Sequence, residues 1–202
     1  MANSNTAGFG LIPTGTIGST PATGGQGKYY IDAGDTDDLF QGCSVRMKDG
    51  YIVEASSTAT FATIGVFNGI FYNAATTLKP TWANWYNQPI TPANSEDLTA
   101  FVLDNPFQLF VVSTDGAITQ ANYGRTYGLT VTAAGSETSG QSSSTLTSGT
   151  VDHTLNQWRL IRTAEDPSNN DMTVAYTSVI VAHNLNQYLQ NISTGPAGIT
   201  WQ

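Results

Sequence analysis

Charged side chains are the most conspicuous shortage in this 202-residue chain. Asp, Glu, Lys and Arg together make up 11% of it, against about 25% in an average soluble protein. Gly, Ser, Thr and Asn take their place, so the surface is largely neutral and covered by hydroxyls and amides. A monomer kept dispersed by charge carries more of it, and a neutral surface suits a protein covered in large part by partners or repeated contacts. Positive charge is scarcest. Seven Lys and Arg against fifteen Asp and Glu leave a net charge of -8, and no cation follows Arg162. Binding a phosphate backbone needs clustered cations, so nucleic acid is excluded as a partner.

Cysteine is almost missing as well. Cys43 stands alone, which rules out an intramolecular disulfide and a cysteine-based zinc site. With no cation beside it to favour the thiolate, it reads as a small buried apolar residue. His153 and His183 are the only histidines, so a three-His zinc site cannot form, and both read as structural. No apolar run approaches the roughly 18 residues of a membrane span. The N-terminus has neither the basic region nor the apolar stretch of a signal peptide. The expectation is a protein made in a cytoplasm, soluble, with no membrane partner.

Catalytic patterns are missing too. No serine sits in a G-x-S-x-G elbow. Gly27-Lys28 lacks both the upstream glycine and the following hydroxyl of a phosphate-binding loop. The acidic run Asp32-Ala-Gly-Asp-Thr-Asp-Asp38 offers carboxylates to a cation but has neither the glycine spacing nor the distant bidentate Glu of an EF-hand. It reads as a solvated turn. The expectation is a non-enzyme with no cofactor and no metal.

What remains is β-structure. Short runs rich in aromatic and β-branched residues (KYYI, YIVEAS, TFATIGVFNGIFY, FVLDNPFQLFVV, MTVAYTSVIVAHN) are separated by turn residues about every ten positions, the spacing of a sandwich, jelly roll or closed barrel. Asp49-Gly50 and Asp115-Gly116 are hairpin-type turn signals. Asp104-Asn105-Pro106 marks a turn or strand edge, because proline cannot donate to a ladder. One helical turn is expected near residues 92–99, capped by Asn94. The fold class is therefore all-β, a jelly-roll-like sandwich or small β-barrel.

Residues 1–27 are uncharged, rich in Gly, Thr, Ser and Pro, and carry one apolar island at Phe9, Leu11 and Ile12. They read as an extended N-terminal arm that docks on a partner by that island, followed by a single β domain over 28–202. The Ser/Thr-rich stretch 135–150 reads as a flexible exposed loop, or as a strand supplied to a neighbouring sheet edge. Trp82, Trp85 and Tyr86 form the densest aromatic group. They suit a core plug, a subunit contact or a glycan platform.

Several segments resemble a group of tailed-bacteriophage head proteins known as cement or decoration proteins. The likeness runs through Gly8-Phe9-Gly10-Leu11-Ile12-Pro13, Tyr29-Tyr30-Ile31 and Leu39-Phe40-Gln41-Gly42-Cys43-Ser44-Val45, where Cys43-Ser44 replaces an Asp-Pro pair. It continues through Ile64-Gly65-Val66-Phe67-Asn68-Gly69, Val102-Leu103-Asp104-Asn105-Pro106, Leu160-Ile161, Pro167, Asn169-Asn170, and the strand end at Val181, His183 and Asn184. The resemblance implies a subunit on the outer surface of the virion capsid, often a homotrimer, that binds the major capsid protein and stabilises contacts between its subunits, with no cofactor and no catalysis. Phe9, Leu11 and Ile12 are the first candidates for the anchor, and Trp82, Trp85 and Tyr86 the second. The alternative is a carbohydrate-binding module or adhesin of the virion surface using the aromatic group.

Overall fold

The computed structural model describes residues 3–18, 25–32, 34–55, 61–130, 135–152 and 156–189. Strands follow in chain order as β1 (Ile12–Thr16), β2 (Gly27–Ile31), β3 (Leu39–Phe40), β4 (Ser44–Lys48), β5 (Tyr51–Glu54), β6 (Gly65–Asn73), β7 (Pro80–Ala83) and β8 (Trp85–Tyr86). The second half holds β9 (Leu98–Leu103), β10 (Gln108–Ser113), β11 (Thr126–Thr130), β12 (Gly135–Ser136), β13 (Gln141–Ser142), β14 (Thr145–Asp152), β15 (Trp158–Thr163) and β16 (Ser178–His183). The chain is all-β. Its sheets are antiparallel and none closes into a barrel, so of the architectures left open by the sequence the arrangement fits a β-sandwich.

A first sheet has the order β1-β10-β16-β15-β11-β14, and a second has β2-β9-β6-β4-β5 with β7 also paired to β6. Apart from β1, the first sheet is built wholly from the chain after residue 107, and the second wholly from the chain before residue 104. Each has its own apolar centre. Phe110, Val112, Tyr127, Leu146, Trp158 and Val181 belong to the first, and Ile31, Val45, Phe67, Ile70, Leu98 and Val102 to the second. Alternation explains the assignment: β9 and β10 both bury every second side chain along most of their length, the period of two that points neighbouring residues to opposite faces.

Local turn chemistry sets the crossings. Asp49 (φ 50°) and Gly50 (φ 88°) close the β4–β5 hairpin, a pair of left-handed residues that matches the twist of the flanking strands. The Asp104-Asn105-Pro106 break is where the chain leaves the second sheet for the first. There the Asn105 side-chain oxygen accepts the Phe107 N–H at 3.0 Å and its backbone carbonyl accepts the Gln108 N–H at 3.0 Å. Val66 and Leu103 are register partners on the second sheet, yet both side chains join the first centre. One end of the second sheet's outer face is thus buried beneath the first sheet.

Both ends of the described chain cross over to the opposite half. Residues 3–16 run along the first sheet, where the Ser4 N–H donates to the Ser168 carbonyl at 3.0 Å and β1 pairs with β10, while the Leu11 N–H donates at 2.8 Å to the Gly42 carbonyl of the other half. Gly10 (φ 72°) passes so close to Gly42 that a Cβ on it would lie 2.9 Å from the Gly42 oxygen, the close backbone approach only glycine allows. At the other end the Gln187 side chain pairs with both backbone groups of Met47, at 2.8 and 3.0 Å. The Tyr188 and Tyr29 hydroxyls meet at 2.5 Å.

Three local expectations need correction. The Ser/Thr-rich stretch is β12, β13 and most of β14, not a loop, because Leu146 is buried and the hydroxyls satisfy one another, as between Thr130 and Thr147 at 3.1 Å. Asp115-Gly116 closes no hairpin; the Asp115 carboxylate instead accepts the Ser148 N–H at 2.6 Å on the edge of β14. The helical turn at Ala93–Ser95 is not capped by Asn94, which lies inside it at φ 58°, a conformation asparagine tolerates better than most residues.

Candidate functional site

The six candidate contact residues separate into three environments. Leu11 is 2% exposed and belongs to the molecule's own first centre, so it is withdrawn as an anchor for a partner. Phe9 is half-buried, and its carbonyl accepts the Gln141 amide at 3.3 Å. Ile12 is exposed, with Ile17 and Phe107 near the same sheet edge, where the Ile17 N–H donates to the Phe107 carbonyl at 2.9 Å. Register partners continue the same face inward, from Ile12 to half-buried Val111 and buried Ile180 to Arg162, and from half-buried Leu109 to buried Ala182 to Arg159. The face is aliphatic and bordered by two arginines. Beside it a cleft of about 220 Å³ is lined by Phe9, Leu11, Pro13, Gln41, Asn68 and Gln141, among others.

The aromatic group does not act as a unit. Tyr86 is fully buried and donates its hydroxyl to the Asp35 carbonyl at 3.2 Å, so it too is withdrawn from the contact set. Trp85 stacks on Phe40, ring centroids 5.5 Å apart and nearly parallel. Trp82 is the one that faces outward, at 52% exposure. Its ring packs on Phe101 at 5.0 Å and lies over Gly69, where a Cβ would come within 2.6 Å of it.

Trp82 stands at the end of a row. Tyr30 pairs with Thr99, Thr99 with Phe71, and Phe71 with Trp82, and directly opposed residues on antiparallel strands share a face. Tyr30 and Phe71 are 54% and 40% exposed. The row continues the same face whose other end, at Val66 and Leu103, is covered by the first sheet. Tyr30, Phe71, Phe101, Ile17 and Phe107 were not singled out from the sequence. The available signal was parity: GIFYN and TAFVL carry apolar residues at both odd and even positions, and a strand apolar on both faces has something to cover twice.

Titratable groups are arranged for structure. In the acidic run, Asp32 accepts the Gly34 N–H at 2.9 Å, Asp35 the Asp37 N–H at 3.2 Å and Asp38 the Gln88 N–H at 3.1 Å, so the carboxylates cap turns. Burial, together with the charges of Asp37 and Asp35, pushes Glu54 up to about 7. Burial also pushes the Cys43 thiol up and His183 down to about 3. His183 lies 4.4 Å from the Trp158 ring and 5.7 Å from Phe110, with Nδ1 3.1 Å from the Thr63 hydroxyl. Among the described residues no three His, Cys, Asp or Glu gather to hold a metal, and no helix is long and apolar enough to cross a membrane. His153 lies outside the described residues.

The geometry thus defines an all-β protein with two outward apolar faces, one aliphatic and one aromatic. No family model, curated protein or solved structure matches the chain.

Proposed function

We propose that the protein is a non-enzymatic structural component of a phage head, bound to the outer capsid surface as a homo-oligomer, where it stabilises contacts between major capsid protein subunits. The observation that carries this reading is the exposed apolar patch of Ile12, Ile17 and Phe107 along the β1 edge of the first sheet, on a chain with little charge to keep such a patch apart from partners. The segment resemblance to decoration proteins supports the same reading, and Phe9 and Ile12 remain its anchors after Leu11 and Tyr86 are withdrawn.

The energetics follow from linkage. A subunit that buries this patch only against the expanded shell adds its binding free energy to that state and resists the outward pressure of packaged DNA. Individually modest contacts, repeated by symmetry, add through avidity. Co-sedimentation with expanded phage heads tests the reading. Wild-type protein is expected to pellet with the heads, and the Ile12→Asp/Phe107→Asp variant to lose binding by at least about tenfold, since each change places a carboxylate in an apolar contact. Undiminished binding of a folded double variant contradicts it.

A further inference from the structure

We propose that the outer face of the second sheet is a binding platform for a neutral, β-linked polysaccharide chain, laid across β2, β9, β6 and β7 with sugar rings over Tyr30, Phe71 and Trp82. The three side chains stand in one register row spanning three strand spacings, about 14 Å end to end. This is room for a short run of sugar rings. A chain joined through equatorial bonds is a flat ribbon, and a flat ribbon matches a row on a sheet face better than it matches a pocket.

The chemistry of the face selects that ligand. The axial C–H bonds of a pyranose carry partial positive charge and meet the negative face of an aromatic ring. Trp82 is held ready for this. Its ring is supported from below by the bare backbone of Gly69 and from the side by Phe101, so little side-chain freedom is lost on binding. Sugar hydroxyls need donors and acceptors at the rim. Thr99 lies between Tyr30 and Phe71 in the register, and two residues along β6 from Phe71 the Asn73 amide donates to the Glu96 carboxylate at 3.3 Å. Among the paired residues of β2, β9, β6 and β7 on this face Lys28 carries the only charge, Arg46 and Lys48 lying on β4 at the other end of the sheet, while the chain as a whole is at -8. A neutral glycan is therefore accepted and a polyanionic one repelled.

Affinity electrophoresis of the full-length protein tests the platform, with hydroxyethylcellulose and glycol chitin as neutral β-linked probes and alginate as the polyanionic control. The wild type is expected to be retarded by at least one neutral probe and not by alginate. Tyr30→Ala and Phe71→Ala, whose side chains lie at the surface, are each expected to weaken retardation about tenfold. Trp82→Ala is expected to weaken it at least as much, with thermal melting showing whether loss of its packing on Gly69 and Phe101 has disturbed the sheet. No retardation by either neutral probe, equal retardation by alginate, or Tyr30→Ala and Phe71→Ala proteins that match the wild type overturns the proposal. So does loss of head binding in those two variants, which makes the row a protein contact.

Discussion

The two sheets use the same strand chemistry on the inside and opposite chemistry on the outside. The outer face of the first is aliphatic, with Ile12, Leu109, Val111 and Ile180 in register and Arg159 and Arg162 at its border. The outer face of the second is aromatic, with Tyr30, Phe71, Trp82 and Phe101. Aliphatic side chains without directional groups suit burial against another protein surface, which they fill by shape alone. Exposed rings on a flat face offer a specific stacking geometry. One scaffold thereby presents two surfaces of different chemistry.

The halves also differ in how they are tied together. The N-terminal strap crosses to the first sheet with an apolar plug, Leu11, and a paired strand. The C-terminal strap crosses to the second with side-chain hydrogen bonds from Gln187 and Tyr188. Burial of a leucine outweighs a pair of hydrogen bonds that water can replace, so the N-terminal strap is the stronger clasp. Leu11→Ala is expected to lower unfolding stability by about 3 kcal/mol, read from denaturant midpoints. A cost below about 1 kcal/mol breaks the comparison.

The junction near the C-terminal strap contains a deeply shifted histidine. His183 is only part-buried as a residue, but its Nε2 is enclosed without a hydrogen-bond partner, and the folded protein holds it at about 3 against 6.5 for the free side chain. The unfolded chain therefore binds the proton first. Stability is unaffected above pH 6.5 and is lost as pH falls from 6.5 towards 3, by on the order of 3 kcal/mol after allowing for partial solvent access. Glu54 acts in the opposite sense. Its folded value of about 7 lies above the ordinary 4.5, so its contribution is present below pH 4.5 and is lost as pH rises through 7. Melting curves of wild type and His183→Phe between pH 7 and pH 4 separate the two. The acid slope should flatten in the variant, and an unchanged slope assigns it to other groups.

The smallest effect belongs to the C-terminal strap. Gln187→Ala removes both bonds to the Met47 backbone and is expected to cost about 1 to 2 kcal/mol, measured in the same denaturant titration as Leu11→Ala. A cost equal to or above that of Leu11→Ala reverses the ranking of the two clasps.

Much of what is written in local chemistry was readable from the sequence, though the Asp115-Gly116 hairpin and the Asn94 cap were not borne out. The strand-rich runs, the Asp49-Gly50 hairpin and the Asp104-Asn105-Pro106 break depend on a few adjacent residues, and each lies where its dihedral preferences put it. Pairing between distant segments was not readable. Nothing near Leu11 says that it enters a centre built from residues beyond 107, so an uncharged N-terminal segment looked like an arm for a partner. Nothing within residues 135–150 says that β11 will pair with them. The aromatic row failed for the same reason in a different form: Tyr30, Phe71 and Trp82 come from three separated strands, and only the register brings them side by side. Density along the chain found Trp82 but grouped it with Trp85, which stacks on Phe40, and with buried Tyr86.

Hydroxyl-radical footprinting of the protein, free and bound to expanded heads, addresses the division of labour between the two faces most directly. The account predicts protection of Ile12, Ile17 and Phe107 on binding, with Tyr30, Phe71 and Trp82 as reactive as in the free protein. Protection of the aromatic row with the strap edge unchanged contradicts it.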